Sequence, residues 1–305
     1  MDLSIIILNI NTKGFLRDCL SSLKESTILK EGSPYSMEII VSDNGSSDGS
    51  VEMVKSEFPG VMLVENGENL GYAKGNNAGL SGARGRYVLF LNSDTTVPEN
   101  TLFEMMKYME ENPKVGASTC YIELFNGKMD MNCHRGFPTP ITAIFYFSGL
   151  HRRFPNSKVF AGYFQTYKNL KEVHEVDVIE GAFMMVRREA AESCQLALNK
   201  WWDEDFFFMA EDIDFCYRLR QAGWKIMYNP VVKILHYKGG SHGFNGQGVA
   251  VLSKEDKAKI LKATTDGMRL FYEKHYKAKY NPLMTGAVFL AIDSLARVRS
   301  MKGGR

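Results

Sequence analysis

Leu3–Ile10 is a nearly unbroken apolar run rich in β-branched residues, and it limits the fold more than any other stretch of the 305 residues. A strand with aliphatic side chains on both faces belongs inside a sheet covered on both sides, the setting of a parallel α/β sheet. Phe15, Leu16, Cys19, Leu20 and Leu23 then recur at helical spacing. Further short apolar runs at Met37–Val41, Val61–Val64 and Tyr87–Leu91 alternate with helix-like stretches around Val51–Phe58 and Ala73–Ser81. Four alternations of strand and helix predict a doubly wound, mostly parallel sheet, in which ligands bind beyond the carboxyl ends of the strands.

Those carboxyl ends carry one kind of residue. Asn9-Ile10-Asn11-Thr12 follows the first strand and Ser42–Gly49 the second; Glu65–Asn77 follows the third and Asn92-Ser93-Asp94-Thr95 the fourth. Asn, Asp and Gly form turns and cap helices, which accounts for Ser47 and Asp48 ahead of a helix. Turn chemistry does not require carboxylates at the same end of two strands. Asp94, held there by a buried strand near Asp43, suits a hard divalent cation, Mg²⁺ or Mn²⁺, that keeps several waters and bridges a diphosphate. A helix cap for the segment near Pro98 is the structural alternative for Asp94.

A helix is expected from Pro98 to about Glu110 and a strand over Val115–Tyr121, while residues 123–175 lose regular pattern and are rich in aromatic and basic groups. Strands are expected at Val176–Val186, broken at Gly181, at Lys225–Tyr228 and at Val231–His236. Helices are expected at Glu211–Gln221, Ser253–His275 and Pro282–Arg299, with Ser253 and Asp256 forming a variant capping box. Between 201 and 214, six carboxylates are interleaved with five large aromatics. Carboxylates beside buried rings lose water, which raises their pKa and suits a general base. On a helix Glu211 and Asp214 share a face, whereas Asp212 and Asp214 point about 200° apart. An acidic first turn also serves the helix dipole.

An apolar fraction of 45% and a charged fraction of 24% exclude long-range disorder. Thirty-seven basic and 35 acidic residues leave a net charge of +2, with no signature of a nucleic-acid binder. The total hides a split: residues 251–305 hold twelve Lys/Arg and five Asp/Glu, or +7, against −5 for the rest. Five cysteines without a C-x-x-C pair are expected to be reduced and mostly buried. No basic leader opens the chain, so secretion is not expected. The longest apolar run of the last helix, Ala287–Ile292, is six residues, far short of the ~20 that span a bilayer.

Several motifs occur in a fixed order. They are Ser4–Leu23 with its Asn-x-Asn, Val41-Ser-Asp-Asn-Gly-Ser-Ser-Asp-Gly-Ser50, Asn69-Leu-Gly-Tyr-Ala-Lys-Gly-Asn-Asn77 and Leu91-Asn-Ser-Asp94. Glu180-Gly-Ala182, Asp203-Glu-Asp-Phe-Phe207, Glu211-Asp-Ile-Asp214 and His236-Tyr-Lys-Gly-Gly240 follow. In these the sequence resembles the family 2 inverting glycosyltransferases of the GT-A fold, over most of residues 3–245. The resemblance implies a nucleotide-sugar-binding half (1–98) fused to an acceptor-binding and catalytic half (99–250), then a basic helical tail (251–305). It implies that Asp43 hydrogen-bonds the pyrimidine, that Asn9 and Asn11 line base and ribose, and that Asn69, Gly71, Asn77 and Ser93 also border the nucleotide. Asp94 matches the last residue of the family's D-x-D, which binds the metal on the diphosphate; Asn92 replaces its first Asp. His236 matches a position that supports the metal or diphosphate in some relatives, beside the reading of a buried, hydrogen-bonded histidine. Asp212 matches the general base. Glu180, Gly181, Ala182, Trp201 and Glu211 fall on the sugar and acceptor side.

His134-Arg-Gly-Phe-Pro-Thr-Pro140, Leu150-His-Arg-Arg-Phe-Pro155 and Val178–Arg188 are similar to segments of bacterial rhamnosyltransferases of this family. That implies dTDP-L-rhamnose as donor, with a UDP-sugar as the alternative, since thymine and uracil offer Asp43 the same edge. The implied acceptor is a hydroxyl of a cell-surface polysaccharide or of a polyprenyl-diphosphate-linked glycan precursor, and the implied location is cytoplasmic. The Lys/Arg-rich tail with its apolar stripe suits an anionic membrane surface on the inner face of the cell membrane, and equally suits packing on the protein's own core. A sugar nucleotidyltransferase would open with a Gly-rich, Arg/Lys-bearing loop after the first strand, and Asn9–Lys13 is not one. A non-catalytic sugar-binding protein would lack the acidic groups.

Overall fold

In the computed structural model, which describes residues 1–238 and 254–303 with side chains at 1–238 and 262–298, strand β1 (Leu3–Asn9) runs through the interior of the first half. Leu3, Ile5, Ile6 and Ile7 are fully buried, each worth roughly 1.5–3 kcal/mol. On one side β1 pairs in parallel with β2 (Met37–Asp43), which pairs with β3 (Met62–Glu65); on the other it pairs with β4 (Tyr87–Asn92). Helices α1 (Lys13–Lys24), α2 (Ser50–Glu57) and α3 (Gly71–Leu80) follow β1, β2 and β3 in turn. Leu16, Cys19, Leu20 and Leu23 of α1 face the core, as their spacing predicts. The register sets Asn9 beside Asp43 and Leu8 beside Asn92, so three strand ends come level at one edge.

The second half reverses part of the sheet. It contains β5 (Thr95–Thr96), α4 (Thr101–Glu111), β6 (Val115–Leu124), α5 (Pro140–Phe147), α6 (Leu150–Arg153) and β7 (His174–Glu175). Then come β8 (Phe183–Arg187), α7 (Arg188–Glu192), α8 (Glu211–Gln221) and β9 (Lys225–His236). The strand order is β3-β2-β1-β4-β8-β6-β9-β5, with β7 on β9. β8 is antiparallel to β4 and β6, β6 and β9 are parallel, and parallel pairings hold most of the paired positions.

Several boundaries differ from the sequence expectation. The strand expected over Val176–Val186 is confined to β8, and ahead of it Val178 makes only an isolated bridge to Arg135. The two strands expected at Lys225–Tyr228 and Val231–His236 are one. Its partner register jumps from Asn229 to Lys233 opposite Cys120 and Tyr121, because Pro230 has no N–H to give the ladder and a bulge absorbs it. Residues 123–175 are not wholly irregular: Thr139 caps α5, with Pro140 in its first turn. The helix expected from Pro98 starts at Thr101. Ser253, the expected cap, lies outside the described residues.

Helices α9 (Lys254–His275) and α10 (Pro282–Gly303) pack on each other. Phe271, Tyr272 and Tyr276 join Phe206, Ala210 and Tyr217 in a second apolar cluster. The five cysteines are free, four of them buried. Among the described residues no helix is long and apolar enough to cross a membrane.

Candidate active site

At the level edge of β1, β2 and β4 the polar side chains are tied to one another. Asp43 is buried and accepts from Asn9 Nδ2 at 2.7 Å and from the N–H and hydroxyl of Ser46 at 2.8 and 2.7 Å. Three of the carboxylate's roughly four acceptor positions are thereby taken. Thr12 Oγ1 stands 2.5 Å from Asn9 Oδ1 and 2.9 Å from Ser93 Oγ, joining β1 to the turn after β4. Asn11 has a left-handed φ of 52°, which its short polar side chain tolerates, and accepts from Ser47 N–H. Asp48 accepts from the N–H groups of Lys13 and Ser50, so one carboxylate fixes the starts of α1 and α2. Asn69 Oδ1 accepts from Gly71 N–H at 3.0 Å. Gly71 has φ 79°, and a Cβ there would stand 2.5 Å from the Phe207 carbonyl, so only glycine lets α3 approach that segment.

The pairing of β5 with β9 builds a second group. Thr95 faces His236, and Tyr237 N–H donates to Asp94 O at 2.9 Å. Asp94 is therefore buried beside His236 instead of capping a helix. His236 Nε2 lies 3.3 Å from Asp94 Oδ1, and its Nδ1 lies 3.6 Å from Asp130 Oδ2. Burial works against the imidazolium, but the Asp130 and Asp94 carboxylates beside it outweigh that and raise its pKa to about 10. For Asp130 burial raises the pKa, yet His236 and the Lys238 ammonium at 2.6 Å hold the carboxyl well below its usual range. Glu180 joins this group with a buried Oε1 that has no hydrogen-bond partner, and burial raises its pKa to about 7. Asp130, Glu180 and His236 can place ligand atoms within 4.8 Å of one another. Carboxylate oxygens with one imidazole suit Mg²⁺ or Mn²⁺, and such an ion would satisfy the orphaned Glu180 oxygen. These residues fit a divalent cation.

Helix α8 begins after two left-handed non-glycine residues, Met209 (φ 71°) and Ala210 (φ 73°), at a cost of about 1 kcal/mol or more each. The turn carries Glu211 and Asp212 to the wall of a cavity of about 850 Å³. Asp212 pairs with the Arg135 guanidinium, both side chains being largely buried. Burial opposes the charge on Arg135, but the Asp212 carboxylate outweighs it and raises the guanidinium pKa. Glu211 is buried with Oε2 unpartnered, and burial, then the Asp212 charge, raise its pKa to about 8. At neutral pH Glu211 is an uncharged carboxyl. Asp214 leaves the cavity: it binds Arg218 at 2.8 Å and His275 at 2.6 Å. The face expected to be shared by Glu211 and Asp214 therefore splits between the cavity and the α8–α9 joint.

Of the residues singled out in the sequence, Ser93, Asp94, Glu180, Gly181, Ala182, Glu211, Asp212 and His236 line that one cavity, with Asn92. Asn9, Asn11, Asp43, Asn69, Gly71 and Asn77 are not on its wall. Asn77 bonds the N–H and carbonyl of Trp202 at 3.1 and 2.9 Å, so its amide is a strut between α3 and the 201–208 segment. The Trp201 ring is fully buried against Phe90 in the core and is not on the cavity wall. Sequence reasoning missed Asp130 and the pairing of Arg135 with Asp212. Asp130 lies in the stretch without pattern, and nothing in its spacing to Asp94 marks it.

Comparison with known proteins follows the same lines. Residues 4–194 match the family described as Glycosyl transferase family 2. The N-acetylglucosaminyl-diphospho-decaprenol L-rhamnosyltransferase of Mycobacterium tuberculosis is 26% identical over 222 residues, covering 68% of this chain and 68% of that protein. The poly-beta-1,6-N-acetyl-D-glucosamine synthase of Staphylococcus aureus is 28% identical over 198 residues, covering 64% of this chain and 41% of the synthase. Among solved structures, S. aureus TarS 1-349 in complex with UDP aligns with a TM-score of 0.53 at 17% identity, over 88% of this chain and 65% of that one. GalNAc-T7 with UDP, GalNAc and Mn²⁺ aligns with a TM-score of 0.57 at 15% identity, over 89% of this chain and 50% of that one. These two structures speak for the fold alone. With the family match spanning more than half of its length, the chain belongs to glycosyl transferase family 2 and is a glycosyltransferase.

Proposed function

We propose that the protein moves L-rhamnose from dTDP-L-rhamnose to a hydroxyl of a polyprenyl-diphosphate-linked glycan precursor, with inversion at the anomeric carbon. The observation that carries this reading is one cavity lined by Asp212 together with Asp94, Glu180 and His236, with Asp130 behind His236. The acceptor hydroxyl gives its proton to Asp212 as its oxygen attacks the anomeric carbon, and the nucleoside diphosphate leaves from the opposite face with the bonding electron pair. Arg135 holds the Asp212 carboxyl in position before the acceptor arrives. Neutral Glu211 adds no second negative charge beside the base. Asp130, Glu180 and His236, with Asp94 beside them, would hold a divalent cation, which when bound neutralises charge on the departing diphosphate. Asp43 would accept from the pyrimidine N–H with its remaining lone pair, with Asn9 and Asn11 along the base and ribose and Asn69, Gly71 and Ser93 bordering the nucleotide.

The donor and acceptor rest on the M. tuberculosis relative, whose name carries both L-rhamnose and a decaprenol-linked diphosphate. A UDP-sugar donor is the second reading. It is favoured by the poly-beta-1,6-N-acetyl-D-glucosamine synthase relative. In the test, Asp212→Asn should still bind donor nucleotide but lose transfer by at least about a hundredfold, the scale of general-base catalysis. Wild-type turnover by that variant would remove Asp212 from the mechanism. Transfer from UDP-N-acetylglucosamine in preference to dTDP-L-rhamnose would select the second reading.

A further inference from the structure

Part of the cavity has walls that catalysis does not use. Helix α10 presents Met284, Val288, Ala291, Leu295 and Val298 to it, at alternating spacings of four and three residues. That spacing makes one aliphatic stripe, about 21 Å long at 1.5 Å per residue. Helix α5 contributes a second stripe through Ala143, Ile144 and Phe147, and the last two are 57% and 55% exposed. Aliphatic stripes on two helices ordinarily close on each other; here they border open space, which marks a binding surface. The groove is continuous with the chemistry, because the same cavity is lined by Asp94, Glu180 and Asp212. Two cationic side chains, Arg135 and Lys238, line that polar region, each also paired with a carboxylate, Asp212 and Asp130. A sugar or nucleotide laid along the aliphatic walls would lose water from its hydroxyls with no partner to replace it.

Resting on the proposed transfer to a lipid-linked glycan, we propose that the α5–α10 groove takes the first isoprene units of the acceptor, an apolar chain that ends in a diphosphate. The chain lies between the two aliphatic stripes, the diphosphate meets Arg135 and Lys238, and the acceptor sugar reaches Asp212. The apolar run of α10 thereby has a ligand to cover, instead of a bilayer to enter.

The test titrates the full chain with farnesyl diphosphate and with inorganic diphosphate by calorimetry. The wild type should bind farnesyl diphosphate at least about tenfold more tightly, the added affinity coming from apolar burial. Ala287→Trp and Ala291→Trp put bulk into the groove from exposed positions of α10. Each should abolish the preference while dTDP and UDP binding with Mn²⁺ and the melting temperature stay unchanged. Phe147→Ala, a truncation on the other wall, should weaken farnesyl diphosphate several-fold and leave inorganic diphosphate alone. Equal affinity of the two probes for the wild type, or a preference that survives all three substitutions, overturns the proposal. Loss of nucleotide binding in the Trp variants with farnesyl binding intact assigns the groove to the donor. Loss of binding to anionic phospholipid vesicles alone assigns it to a membrane surface, and both outcomes overturn the proposal. Failure of the glycosyltransferase reading would appear separately, as no turnover of any nucleotide sugar, whatever the farnesyl result.

Discussion

Arg135 and Asp212 come from segments 77 residues apart, and their pairing ties the start of α8 to the loop after β6. The sequence made Asp212 legible through the Glu211-Asp212 motif and its neighbouring aromatics. It could not reveal Arg135 or Asp130, because both acquire meaning only where the loop after β6 folds back over the site. The metal reading has a direct consequence at this scale. Asp94→Ala should weaken the Mn²⁺-dependent part of nucleotide binding by at least about tenfold, since removing a hard carboxylate ligand leaves the ion poorly held; titrating Mn²⁺ against nucleotide affinity reads it, and an unchanged Mn²⁺ dependence argues against Asp94 as a ligand. A second consequence concerns pH. His134 is buried against His174, Nε2 to Nε2 at 2.5 Å, and burial first, with Lys168 and His174 nearby, lowers its pKa to about 4. A folded pKa below the unfolded value means stability fully present above about pH 6.5 and lost as the pH falls toward 4. Between pH 7 and 5 that loss is about 2 kcal/mol. Urea unfolding at the two pH values should show it as the difference between wild type and His134→Gln, on top of the opposite trend from the raised Glu180 and Glu211 carboxyls; an equal pH response in both would place the acid sensitivity elsewhere.

At the level of elements, β1 and β4 were readable because they are buried on both faces, and α1 because it keeps a clean apolar spacing. The errors fell where local pattern and tertiary need diverge. β9 runs through Pro230 by bulging, which no apolar period reports. Residues 176–182 are apolar like a strand but carry Glu180 and Gly181 into the site, and a Cβ on Gly181 would collide with the Tyr72 hydroxyl at 1.9 Å. The entry to α8 depends on a similar close approach. A Cβ on Gly267 of α9 would stand 2.5 Å from the Met209 carbonyl, just ahead of the left-handed pair that aims Asp212. Gly267→Ala should therefore destabilise the fold by about 1–3 kcal/mol, the usual cost of overpacking. It should also slow transfer more than it weakens nucleotide binding. A variant with unaltered melting and turnover would show that α9 does not brace the catalytic turn.

For the whole molecule, the split between a −5 body and a +7 tail has an internal use. Lys274 of α9 pairs with Asp203 and Asp205, and His275 meets Asp214, so part of the tail's charge answers the acidic run that leads into α8. Phe271, Tyr272 and Tyr276 are buried with it. The tail's apolar face thus packs on the protein's own core through α9, while α10 keeps an open stripe toward the cavity. The sequence exposed the charge split but not where the two signs meet, because that depends on how α9 docks. The account as a whole stands on inverting sugar transfer at Asp212. Its most direct test is proton NMR of the sugar released to water from dTDP-L-rhamnose, and in parallel from UDP-N-acetylglucosamine, with Mn²⁺ and before mutarotation. The expected product has the anomeric configuration opposite to the donor's, formed at least about a hundredfold more slowly by Asp212→Asn. Product with the donor's configuration, or released as fast by that variant as by the wild type, would contradict the account.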